Sequence, residues 1–214
     1  MNLKLSHILS LTILIILIFV AVNYDSIFNI ELPLNNETLE SFGSNINEFN
    51  NIKMIDLDTE YINNESGIEL TEFSDFECPF CKDASPLVKL ILQKYNKQIN
   101  YKFVHFGGHK NTIKAALASE CAKEQGKFWT YHDLLFENQN SFSDKRFKQI
   151  AEQLNLNKIQ FNDCYDTQKY MDKVKSDFEL AQTSGISATP TYILNGKIVY
   201  LDEIPDKIAK IIKE

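Results

Sequence analysis

Apolar and polar positions divide the chain into three zones. Residues 8–22 (ILSLTILIILIFVAV) are almost wholly apolar, residues 23–66 are rich in Asn, Glu, Ser and Asp with no sustained period, and regular patterning begins at Gly67. From there a β-prone run at 68–73 predicts a strand. An amphipathic run follows, with Leu87, Leu90, Ile91 and Lys94 at helical spacing, and it predicts a helix over 81–95. Residues 99–106 (INYKFVHF) predict a second strand. Strand, helix and strand in that order make a βαβ unit, which calls for a right-handed crossover and parallel strands.

The pattern then stays helical for a long way. Residues 110–125 carry Ala115, Ala116, Leu117, Ala118, Cys121 and Ala122, and Gly126 breaks that run. A short aromatic helix is expected at 128–137. Ser143 is placed to N-cap a helix over 144–154. The stretch 157–183, containing Phe161, Cys164, Tyr165, Met171, Val174, Phe178 and Ala181, reads as bent or broken helix closed by Gly185. The pattern returns to β at 191–194, turns at Asn195-Gly196, pairs back over 197–201 and ends in a helix at 205–213.

The N-terminal zone predicts targeting. Lys4 precedes the apolar run, so the N-terminus is expected to stay in the cytoplasm and the following chain to cross the membrane. A run of fifteen residues lies between a signal-peptide core and a comfortable span. Val20-Ala21-Val22 and Ala21-Val22-Asn23 make poor cleavage sites. The expectation is therefore a cytoplasmic segment 1–7, a transmembrane signal anchor 8–22, a flexible tether 23–66 with a short structured piece near 52–57, and a globular domain 67–214 outside the cytoplasm, at the cell membrane. Secretion after cleavage is the alternative. Asn36 and Asn64 open Asn-x-Ser/Thr triplets, acceptors only in a host that makes such glycans.

Composition is that of an ordinary globular protein, with 44% hydrophobic and 24% charged residues among 214. The net charge of −7 comes without a basic patch, which sets nucleic-acid binding aside. Four cysteines and an apolar N-terminus point to an oxidising compartment.

The chemistry centres on Cys78-Pro79-Phe80-Cys81, between the first strand and the first helix. That junction puts Cys78 at a helix N-terminus, where unpaired N–H groups and the helix dipole favour a thiolate. Pro79 suits the first turn, because its missing N–H would have no partner there. Two sulfurs so spaced can exchange a disulfide with each other and with a substrate. A zinc knuckle is the competing reading, but it wants a second closely spaced pair, and Cys121 and Cys164 stand far apart. A purely structural disulfide across two residues would close little chain entropy.

The motifs resemble those of DsbA-like thiol–disulfide oxidoreductases, and the element order matches a thioredoxin-like α/β fold with a helical insertion at about 109–184. The resemblance spans about 67–214. It rests on Phe73-x-Asp75-Phe76-x-Cys78-Pro79-x-Cys81, on Glu124-Gln125-Gly126-Lys127-Phe128-Trp129-x-Tyr131-His132-Asp133-x-Leu135-Phe136, and on Gly185-Ile186-x-x-Thr189-Pro190-Thr191-Tyr192. It implies disulfide formation in exported proteins, with Cys78 the exposed attacking thiol and Cys81 the buried resolving one. It further implies a cis Pro190 beside them, the Thr189 backbone free to pair with an extended substrate, and Phe76, Phe80 and Tyr192 binding unfolded chains loosely. Glu72, six residues before Cys78, is either a semi-buried acid that moves the Cys81 proton or an exposed strand residue. Asp75 and Glu77 oppose a Cys78 thiolate unless they point away. Phe80 replaces the His of strongly oxidising relatives, which implies a milder oxidant.

Cys121 and Cys164 would form a structural disulfide, or else stand as two buried thiols. His105, His109 and His132 read as packing or polar residues, not ligands. The expected partners are reduced or unfolded exported proteins and a membrane redox protein that reoxidises the pair, with no cofactor and no metal. Thr189 also occurs in isomerase-like members, so an isomerase or reductase remains open beside the oxidase. A non-catalytic metal-binding or chaperone module is the reading from a different class.

Overall fold

The computed structural model describes residues 67–95 and 97–213. The expected cytoplasmic segment, anchor and tether, the piece near 52–57 and both glycan triplets lie outside these residues. No helix among the described residues is long and apolar enough to cross a membrane.

The sheet has four strands among the described residues, in the order β2-β1-β3-β4. These are β1 (Glu69–Ser74), β2 (Asn100–His105), β3 (Thr191–Leu194) and β4 (Lys197–Val199). β1 runs parallel to β2, with Glu72 opposite Phe103, and antiparallel to β3, with Glu72 opposite Tyr192. The parallel pair is joined by helix α1 (Pro79–Tyr95), which gives the expected βαβ unit. α1 continues through Pro86, although proline removes one internal hydrogen bond. The residues flanking it, Ser85, Leu87 and Val88, are all buried, so packing outweighs the local cost.

Between β2 and β3 come the insertion helices α2 (Thr112–Lys123), α3 (Phe128–Glu137), α4 (Asp144–Gln153), α5 (Lys158–Asp166) and α6 (Met171–Thr183), and helix α7 (Ile204–Lys213) follows the sheet. The stretch expected to be bent or broken divides into α5 and α6 at a turn where Gln168 has φ of 53°. Ser143 caps α4 by accepting a hydrogen bond from the Arg146 amide. β4 is shorter than expected because residues 201–203 wind into a 3₁₀ turn. Asn195 and Gly196 both take positive φ at the hairpin, and the Asn195 side chain ties back by accepting from the Glu69 amide at 2.7 Å.

The main core joins the site to the insertion. Phe76, Cys78 and Cys81 pack in one cluster with Ala115, Ala118, Tyr131, Phe136, Phe147 and Phe161. A disulfide between Cys121 and Cys164, 43 residues apart, links α2 to α5. In the chain-entropy account a loop of that length stabilises the fold by about 3–4 kcal/mol. Replacing both cysteines with serine should therefore lower the melting temperature by roughly 10 °C. Calorimetry on the full chain checks this, and an unchanged melting temperature would show that the bond carries no stability.

A buried polar seam holds α2 against β2. The His105 imidazole lies 3.1 Å from Glu120, both nearly inaccessible, and the Asp177 carboxylate on α6 accepts from the His105 amide at 3.1 Å. Burial by itself raises the Glu120 pKa, but the hydrogen bond and charge of His105 outweigh it and hold Glu120 at about 2. In the unfolded chain this carboxyl titrates near 4.5. Its contribution is thus present above pH 4.5 and fades as pH falls toward 2, by at most about 3 kcal/mol. The stability gap between wild type and Glu120→Gln in urea titrations should narrow steadily over that acid interval; a gap independent of pH would refute the assignment.

Candidate active site

Cys78 sits immediately before α1, and Cys81 lies in its first turn. The Cys78 amide donates to the Asp75 carbonyl at 3.0 Å, and the Cys78 carbonyl accepts from the Lys82 amide at 3.2 Å. The helix thus starts at Pro79, two residues ahead of the expected 81, and Cys78 stands at its N-terminus as the strand-to-helix junction predicts. Both cysteines are free thiols in this structure. The Cys78 thiol points at the Thr189 carbonyl at 3.4 Å, and the Thr189–Pro190 bond is cis.

Cys78 was expected to be exposed, yet it is only 4% accessible, and Cys81 is wholly covered. The reason for Cys78 lies in the fold, because the Thr189 loop rests against its sulfur. Two further expectations change. Phe76 is 2% exposed and packs among Phe103, His132 and Phe136 with ring centroids 5.3–5.5 Å away. Tyr192 is 3% exposed on β3 beside β1. Neither presents a surface to a substrate chain. Phe80, 70% exposed in the turn between the two cysteines, does.

Glu72 is buried on β1 and accepts a hydrogen bond from the Tyr101 hydroxyl at 2.6 Å. Burial raises its pKa above the usual carboxylate value, while the Tyr101 hydrogen bond and the charge of His132 hold the rise back. Burial pushes the Cys81 thiol up to about 12; negative charge on Cys78 and Glu72 adds to the rise, and the Asp75 amide, which donates to its sulfur at 3.5 Å, opposes it. The Tyr192 hydroxyl is buried with no hydrogen-bond partner among the described residues. Burial and the nearby charges of Glu72 and the two sulfurs raise its pKa, so it stays protonated. A thiol that resists ionisation therefore lies within electrostatic reach of a carboxyl biased toward holding a proton and of a protonated phenol.

The acidic residues next to Cys78 are occupied elsewhere. Asp75 accepts from the Thr112 hydroxyl and lies beside the His109 imidazole, each at 2.7 Å, and it also accepts from the Glu77 amide at 2.9 Å. Glu77 accepts from the backbone and side-chain amides of Asn111. Gly107 makes this possible, since a Cβ there would stand 2.0 Å from the Asp75 carboxylate. The three histidines among the described residues serve as packing and polar groups: His105 in the buried seam, His109 on Asp75, and His132 within the ring cluster with its Nδ1 3.0 Å from Asp133. Among the described residues no group of three or more His, Cys, Asp or Glu is placed to hold a metal ion.

Tyr101, Asn111, Thr112 and Gln139, whose side chain donates to the Phe76 and Cys78 carbonyls, were not singled out from the sequence. Tyr101 stands one strand over from Glu72, so only the pairing of β1 with β2 brings it near.

A family profile described as Thioredoxin matches residues 63–214. The chain belongs to the thioredoxin family, with the fold of its DsbA-like thiol–disulfide oxidoreductases. BdbD from Bacillus subtilis, in its oxidised form, is 28% identical and superposes with a TM-score of 0.62 over 70% of this chain and 90% of that one. Wolbachia pipientis alpha-DsbA1 is 26% identical, with a TM-score of 0.57 over 70% of this chain and 90% of its own. Among curated proteins, the Na(+)/H(+) antiporter NhaA 3 of Salinispora tropica is 32% identical over 148 residues, which is 67% of this chain. The chain spans 22% of the length of that relative.

Proposed function

We propose that the chain is a thiol–disulfide oxidoreductase that forms disulfides in exported proteins through Cys78 and Cys81. The observation that carries this reading is the pairing of unlike sulfurs: one before the helix against the Thr189 carbonyl, the other wholly covered with its thiol raised by burial to about 12. In the oxidised enzyme a substrate thiolate attacks the Cys78 sulfur. The bond to Cys81 breaks, and Cys81 leaves with the electron pair and takes up a proton, with Glu72 as the proposed donor. A second substrate thiolate then attacks the substrate sulfur of the mixed disulfide and releases Cys78 as a thiolate. The substrate dithiol has become a disulfide, and the enzyme disulfide a dithiol.

Helix α1 favours the departing Cys78 thiolate. Phe80 offers an apolar contact for unfolded chain, and the Thr189 backbone an edge for pairing. The phenylalanine between the cysteines supplies no cation to the thiolate, which supports a mild oxidant. A membrane redox protein is the proposed reoxidant, with residues 8–22 holding the domain at the membrane outside the cytoplasm. To test the activity, the oxidised full chain is mixed with a reduced, unfolded protein that carries native disulfides. Substrate thiols should vanish as the Cys78–Cys81 pair becomes reduced, in equal numbers. Unchanged substrate thiols would sink the proposal.

A further inference from the structure

Gln139 opens a short 3₁₀ turn, Gln139–Ser141, after α3, 61 residues from Cys78 along the chain. Its side-chain nitrogen donates to the Cys78 carbonyl at 2.8 Å and to the Phe76 carbonyl at 2.9 Å. Those contacts use the whole donor capacity of a glutamine amide. The turn that presents it is itself held. The neighbouring Asn138 donates to the Leu134 carbonyl at 2.7 Å and accepts from the Arg146 guanidinium, with its Nε at 3.1 Å. Arg146 is in turn fixed by the Ser143 cap of α4. The donor therefore reaches the site from a braced turn, not from a loose side chain.

The active-site loop is gripped from two sides, and both grips come from the insertion. On one side Asp75 and Glu77 are tied to His109, Asn111 and Thr112. On the other stands Gln139. The two grips differ in kind. The first consumes carboxylates, whereas Gln139 caps carbonyl oxygens, the negative ends of backbone dipoles next to the sulfur that must carry negative charge. A thiolate at Cys78 already faces one carbonyl, that of Thr189 at 3.4 Å. Donors on the two others reduce the repulsion it meets.

We propose that Gln139 is a positioning residue for Cys78: by capping the Phe76 and Cys78 carbonyls it fixes the loop and favours the Cys78 thiolate, so that the insertion helps to set how oxidising the pair is. This rests on the reading of Cys78 as the attacking thiol. It adds to the helix N-terminus a second, remote source of thiolate stabilisation.

The test uses the full chain, reduced, with Gln139→Leu and Gln139→Glu beside wild type. Iodoacetamide alkylation of Cys78 is followed against pH, and the equilibrium between enzyme and glutathione is measured. Gln139→Leu should slow alkylation about tenfold at neutral pH, the equivalent of losing about one ordinary hydrogen bond to a carbonyl, and should move the pH profile upward. The same variant should hold its disulfide more tightly against glutathione by a similar factor. Gln139→Glu keeps one donor only while protonated, so its deficit should widen as pH rises through the carboxylate range. Wild-type pH profiles in both variants would overturn the proposal, as would a slower rate with an unmoved profile, since that reports access alone. A wild-type Cys78 that alkylates no faster than glutathione itself would instead refute the reading of the site.

Discussion

Replacing Cys81 with serine is expected to trap the enzyme on its substrate. The Cys78 thiol of that variant, incubated with a substrate whose thiols have been activated as mixed disulfides, attacks and forms an intermolecular bond. The buried partner that would release it is then a hydroxyl, which does not displace a disulfide sulfur. A covalent adduct at Cys78 should accumulate, visible on non-reducing gels and by mass spectrometry, and turnover should vanish. Cys78→Ser should give no adduct and no turnover, because Cys81 is wholly covered and holds its proton to about 12. The asymmetry is the diagnostic feature. Equal adduct formation by both variants would mean that the two sulfurs are interchangeable, which the difference in burial and hydrogen bonding argues against.

The same reagents separate the oxidase from its neighbours in chemistry. A pair that gives up its disulfide readily to glutathione acts as an oxidant; one that holds it acts as a reductase or isomerase. Two features of this site pull in opposite directions. The helix N-terminus favours the reduced, ionised form, and the role proposed for the Gln139 donors acts in the same direction. Phe80, in the turn between the sulfurs, brings no charge. Asp75 and Glu77 would have shifted the balance further toward the reductant, but their carboxylates are bound to His109, Asn111 and Thr112. A non-catalytic chaperone would be indifferent to the loss of either cysteine.

Much of this arrangement was legible in the sequence because it depends on local patterns. The switch from strand to helix period around residues 74–84 placed Cys78 at a helix start. Asn195-Gly196 marked the hairpin, and the apolar spacing of Cys121 and Cys164 put both on inward faces. What escaped depends on which face is covered and on who meets whom across the fold. Strand alternation puts Tyr192 on one face of β3 but does not say that the face is closed. Phe76 looked like a substrate platform because it neighbours Cys78, yet helix α3 brings His132 and Phe136 over its ring. The direction of the Asp75 carboxylate rests on a glycine 32 residues later, and the capping of the Cys78 carbonyl on a glutamine in a turn with no periodic signal. Helical spacing did carry the expected helix through Pro86, and the buried residues beside that proline show why the helix tolerates it.

Glu72 supplies the second large effect. The Cys81 thiol, raised from about 9 to about 12, can neither leave nor attack as a thiolate without a group to exchange its proton. Glu72 is buried within reach of that charge, and its own pKa is raised by burial, so its proton comes off nearer to neutral pH than an exposed carboxyl's would. Glu72→Gln keeps the shape and the contact with Tyr101 but cannot carry the proton. Attack of Cys81 on a preformed mixed disulfide at Cys78, the reverse of the step in which Cys81 leaves, should slow about a hundredfold when followed by rapid chemical quench, within the ordinary range for losing a general acid–base group. The wild-type rate should rise with pH as Glu72 ionises, and the variant should lack that limb. Stability should move the other way. The folded protein favours neutral Glu72, so the stability this group contributes is greatest below pH 4.5 and is lost as pH rises through its raised value. The variant escapes that loss and should be more resistant to urea than wild type at neutral pH, the two converging in acid. Slower chemistry together with a firmer fold is a pairing that a simple packing defect cannot produce. An exposed strand glutamate, for its part, would change neither quantity.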